Sequence, residues 1–157
     1  MLLPMMALFC AFFDIAMVLY LQNTFQDAVN QAVRWAITYQ TTDPFGAACP
    51  TQNECIVRVV ERNSMGWITP ANRDRIWVRY YRPSDLDTPF YGNSTTAMNA
   101  PGNVVQVSVR NYPWRYTIGL WLGNSSFNLS ADATSVMQNL PVGVLTPPAS
   151  GPAPGGP

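Results

Sequence analysis

Asp14 and Pro4 are the only interruptions in an apolar run from Met1 to Leu21. The run is long enough to cross a bilayer, which takes about 20 mostly apolar residues. A carboxylate at the centre of a membrane costs roughly 3 kcal/mol or more, so such an acid normally has a partner or a task. The other residues with chemical potential are few. Nine acids balance nine bases, all nine bases are arginine, and the chain holds neither lysine nor histidine. The commonest general base and metal ligand is therefore missing. A Ser–His or Cys–His nucleophile is impossible, and no two acids have convincing acid/base placement. The serines and threonines form no nucleophile elbow. Catalysis is not expected, and neither is a cofactor or a bound metal.

Three cysteines remain. Cys10 lies in the apolar run and suits packing. Cys49 and Cys55 flank "PTQNE", and in an exported protein such a pair is more often a disulfide than a redox or metal site. Asp85 and Asp87 in "PSDLDTP" would need further oxygen ligands to hold calcium, and nothing nearby supplies them, so a solvated turn is expected. "WVRYYRPSD" and "RNYPWRY" interleave arginines with aromatics, a pattern that suits stacking on sugars or single strands. With zero net charge no nucleic-acid partner is expected, and packing of a sheet or contacts between subunits is the simpler reading. Sequons occur at Asn93, Asn124 and Asn128, where the chain is open to glycosylation if its source modifies such sites.

Several elements must position these residues. The composition is 48% apolar and 11% charged, well under the roughly 25% charge of ordinary soluble domains, and much of the excess lies before Gln22. A cleaved signal is the weakest reading of that segment, because it lacks a basic n-region and a clear cleavage site. After Leu21 the chain continues without a helix breaker. Phe25, Ala28, Val29, Ala32, Val33 and Ala36 recur at helical spacing, with Gln26, Asp27, Asn30, Gln31 and Arg34 opposite. One helix from about Leu3 to about Thr41 is predicted, ended by "TTDPFG".

The remainder predicts a small α+β head. Thr51 and Glu54 have capping-box spacing, and the helix after them should bury Ile56, Val59 and Val60 and stop near Gly66. Three strands are expected from alternation: Ile76, Val78 and Tyr80 share a face in the first, Val105, Val107 and Val109 in the second, and Phe127, Leu129, Ala131 and Ala133 in the third. An antiparallel sheet of about three strands, packed on the amphipathic half of the long helix, buries both apolar faces. The expected divisions are 1–43 for the helix (1–21 apolar), 44–140 for the head and 141–157 for a Pro/Gly-rich tail. A tail of this composition builds no core, and is ordered only if something such as a neighbouring subunit holds it.

The layout resembles type IV pilin-like proteins. Pro4, Asp14 and "LYLQNTFQDAVNQAVRWA" with Arg34 are similar to the opening of TadE-like pseudopilins of tight-adherence (Tad) systems, and "YPWRYTIGLWLGNSSFNLSADATSVM" loosely resembles that family's closing segment. The family's processing site and glutamate lie upstream of its proline, and this sequence begins too late to show either. The resemblance implies a structural subunit, a pilin or minor pseudopilin, waiting in the cytoplasmic membrane and then entering an extracellular filament. Its partners would be copies of itself, other pilins and the inner-membrane assembly machinery. The expected assembly residues are Leu8, Phe12, Asp14, Ile15, Leu19 and Phe25, with the Asp14 carboxylate fixing register between neighbours. The competing reading is a single-pass anchored extracellular module that binds or adheres through its aromatic surface.

Overall fold

The computed structural model describes residues 2–89, 98–116, 126–143 and 145–152. Helix α1 runs unbroken from Leu2 to Ile37, about 54 Å at 1.5 Å per residue. After it come α2 (Gln52–Asn63), a 3-10 turn (Pro70–Arg75) and strands β1 (Ile76–Tyr81), β2 (Val104–Arg115) and β3 (Ser126–Val136). The three strands form one antiparallel sheet in the order β1-β2-β3. Among the described residues the chain forms the expected α+β class with three strands.

The C-terminal half of α1 packs on β2 and β3, and α2 packs on α1 and reaches β1. Phe25, Ala28, Val29, Ala32, Val33 and Ala36 are all buried, as are Ile56, Val59 and Val60 of α2. From the sheet, Ile76, Val78, Tyr80, Val105, Val107, Val109, Leu129 and Ala131 close the same core. Strand alternation sends their neighbours to the other face. There Trp77 lies against the guanidinium of Arg79 at 4.4 Å and that of Arg110 at 5.3 Å.

α1 stops about a turn before the predicted Thr41. Tyr39 takes a left-handed φ of 54°, a conformation that costs an L-residue roughly 1–2 kcal/mol. Two contacts offset that cost. The Tyr39 hydroxyl donates to the Gln138 carbonyl at 3.0 Å, and the buried Gln52 side chain donates at 2.7 Å to the Ala36 carbonyl, which also accepts from the Tyr39 amide at 3.1 Å. Replacing Gln52 by leucine removes two buried hydrogen bonds, the one to the Ala36 carbonyl and the one from the Asn99 amide. The expected loss is about 1–3 kcal/mol, read by denaturant melting of the full chain; an unchanged midpoint would show that the cap is not needed.

β2 is longer than its alternation suggested. Val109 pairs with Ala131 but Tyr112 with Leu129, so β2 takes three steps where β3 takes two. The extra residue bulges the strand at Asn111, whose φ is 55°. A one-residue bulge exchanges the faces of the residues beyond it. Tyr112 and Trp114 thereby stay on the helix side, where Tyr112 meets Phe25 edge-on at 4.9 Å and Trp114 meets Trp67 at 6.1 Å.

Candidate assembly surface

The first half of α1 extends beyond the core. An apolar window within Leu3–Ile37, with mean hydropathy 2.0, is only 6% buried in the chain. Its length and composition are enough to cross a membrane. Phe9 is 73% exposed, Phe12 66% and Met5 71%, so large side chains that normally leave water stand uncovered here.

The structure divides the expected assembly residues into two sets. Leu8, Phe12, Ile15 and Leu19 are exposed, and their spacing of four, three and four places them on one face of the helix. Phe25 and Asp14 lie on the other side. Phe25 is a core residue of the head. Asp14 is 2% exposed although Phe13 and Ile15 beside it are more than half exposed, and it has an interaction partner within the chain. Ala7, Cys10, Ala11, Met17 and Val18 are half-buried around it, continuing the stripe that becomes Leu21, Phe25 and Val29 in the head. The acid in the greasy run therefore faces its own chain, on the side opposite the bare apolar face.

The Cys49–Cys55 disulfide forms, with the two Cα atoms 5.5 Å apart, and closes the loop that leads into α2. Thr51 caps α2 by accepting from the Glu54 amide at 3.3 Å. The Glu54 carboxylate does not complete the predicted box toward Thr51. It accepts instead from Arg58 Nε at 3.2 Å and Arg73 Nη1 at 3.1 Å, while Arg73 also pairs with Glu61. Arg58, Glu61 and Arg73 line a cavity of about 560 Å³ with Asp43, Phe45 and Arg62. Its charges are largely spent on one another: Arg58 also approaches Asp43 at 3.6 Å, and Arg62 stacks 3.5 Å over Phe45. The amides of Ala47 and Phe45 hold the Asp43 carboxyl below the ordinary aspartate range, so it keeps its charge beside Arg58 under mildly acid conditions.

Asp85 uses its carboxylate within its own turn, accepting from the amides of Asp87 and Thr88 at 3.2 and 3.1 Å. Asn128 is exposed on β3, in register with Pro113; Asn93 and Asn124 lie outside the described residues.

Sequence reasoning missed one polar cluster. Gln52, Asn53 and Asn99 are buried, and Asn53 accepts from the Tyr80 hydroxyl at 2.8 Å. The tail lies against this cluster: the amides of Gln52 and Asn53 donate to the carbonyls of Ala149 and Ser150 at 2.9 and 3.1 Å. What orders the described part of the tail is thus the start of α2 in the same chain, where the sequence suggested a neighbouring subunit.

A family model described as TadE-like protein matches residues 1–34 of the 157, the stretch that carries most of the resemblance. No match was found among curated proteins or among solved structures. The match covers the bare half of α1 and most of the half that enters the head.

Proposed function

We propose that this chain is a structural subunit, a pilin or minor pseudopilin, of a Tad-type filament, and that it assembles through the exposed face formed by Leu8, Phe12, Ile15 and Leu19. A TadE-like match and an apolar N-terminal helix fit a Tad pilus-related subunit. One observation carries the finer reading: a rigid helix anchored in a folded head presents half its length, apolar on nearly every side, with large side chains left bare by the chain itself. Lipid covers it before assembly. In lipid, helices gain little hydrophobic energy from meeting, and packing decides whether they associate. Outside lipid the same face exposes its area to water at roughly 25 cal/mol per Å², so other copies must take the place of the acyl chains. Drawing the helix out of the membrane is uphill and is the work assigned to the assembly machinery. An interface that does not close on itself extends into a filament. Asp14 is buried and spent within its own chain, away from the exposed face that is left for neighbours.

Single cysteines at Leu8, Phe12, Ile15 and Leu19, placed one at a time in a Cys10→Ser background, test the reading. Assembled material should give copy-to-copy crosslinks at these four positions and far fewer from cysteines at Ala11 or Met17. Equal labelling of all six by a lipid-phase reagent, with no crosslinks, would instead favour the anchored binding module. That reading draws its support from the Trp77–Arg79–Arg110 cluster on the outer face of the sheet.

A further inference from the structure

The start of α2 is a built receptor for an extended segment. Besides the two main-chain bonds to Ala149 and Ser150, the Asn53 side-chain amide donates to the carbonyls of Gly151 and Pro152, both at 3.2 Å, and Asn99 donates to that of Pro148 at 2.9 Å. The tail thus satisfies the first free amides of a helix with its own carbonyls, a task usually left to a capping side chain or water. The fit is specific at Gly151. Its φ is +73°, and a Cβ there would lie 2.6 Å from the Thr51 side chain, so a larger residue fits neither the backbone nor the space. Ser150 is 4% exposed. A low-complexity tail would not be expected to make such a site by composition alone.

The chain leading to this site is tied down at its two ends. Residue 138 is held by Tyr39, and residue 149 is held by Gln52, whose side chain reaches Ala36. Both anchors are thus tied, through side chains, to the end of α1. Nine residues, 139–147, lie between Gln138 and Pro148, and could span roughly 30 Å if extended. Within them Val142 is 106% exposed and Leu145 95%. An exposed connector ending in a segment that fits a specific site is the arrangement that permits exchange of an element between copies at low cost, since the same contacts form either way.

We infer that residues 148–152 are an exchangeable arm, able to dock on the α2 of a second copy through the same hydrogen bonds and so to tie neighbouring heads together. The receptor site stands apart from the assembly reading; only its use along a filament rests on that reading. Exposed Ala149 and half-exposed Thr51 provide the test. In full-length chains carrying Cys10→Ser, Ala149→Cys is placed in one pool and Thr51→Cys in another, and a double variant carries both. The two pools are co-expressed in one membrane and treated with a short bismaleimide. The double variant should link within one chain, and the mixed pools should yield a linked dimer. Adding Gly151→Val to the Ala149→Cys chain should abolish both products. Linkage within the double variant but no dimer from the mixed pools overturns exchange, and no linkage in either overturns the docking site. A dimer formed in membranes that yield no filament would uphold the arm while sinking the assembly reading.

Discussion

Phe12→Ala is expected to abolish assembly while leaving the melting of the head unchanged. Phe12 is 66% exposed in the single chain and lies outside the core cluster, so its loss opens no cavity within the head. In an assembled array the same ring would be enclosed by neighbours, where truncating a buried phenylalanine typically costs about 3–5 kcal/mol. Each 1.4 kcal/mol is tenfold in an equilibrium, so the assembled fraction should fall by about a hundredfold or more. Alanine retains an apolar helix, so membrane insertion should persist, and the test is the ratio of sedimentable filament to membrane-held subunit. Undiminished filaments would show that this face makes no contact of consequence.

Phe25→Ala should do the opposite. The change is the same and lies on the same helix, but Phe25 is completely buried and meets Tyr112 at 4.9 Å. A loss of about 3–5 kcal/mol is expected, a large share of the roughly 5–15 kcal/mol that holds an ordinary domain. Denaturant unfolding followed by tryptophan fluorescence would read it, since Trp67 and Trp114 pack beside the same core. A loss below about 1 kcal/mol, far under the usual cost of such a truncation, would mean that α1 is only laid against the head and is not one of its layers. The two variants together separate the halves of the helix: the half from Leu21 onward builds the head, and the half before it carries the exposed face proposed for assembly.

Much of this was legible because the signals were periodic. The 3.6-residue recurrence from Phe25 to Ala36 and the two-residue alternation of Val105, Val107 and Val109 name their buried faces directly, and the structure buries those faces. Where the period changed, the signal failed. The bulge at Asn111 exchanges the faces of β2, so "YPWR" looks like a separate aromatic segment although it continues the strand. In the apolar run, nearly every position is greasy, and no period can show which stripe is covered; the burial of Asp14, with Cys10 and Val18 half-buried beside it, reveals it. The dock at Gln52 and Asn53 was hidden for another reason. It joins residues nearly a hundred positions apart through backbone carbonyls, and a carbonyl has no letter in a sequence. The end of α1 was also misplaced, because Pro44 is a visible breaker while a left-handed tyrosine held by Gln138 is not.

The surface and the arm have different consequences for an assembled structure. Contacts through Leu8, Phe12, Ile15 and Leu19 would form a core from helices, with the heads and the exposed Asn128 outside. Exchange of residues 148–152 would add a second layer of contacts between heads, carried by hydrogen bonds and so indifferent to the lipid that competes for the helix.

Electron cryomicroscopy of the material shed or sheared from cells expressing the full chain, with helical reconstruction, bears most directly on the central claim. The account predicts a repeating array in which the segment around Leu8–Leu19 of every copy is enclosed by the same segment of other copies. A lone helix surrounded by lipid, with heads that make no repeating contact, would contradict it.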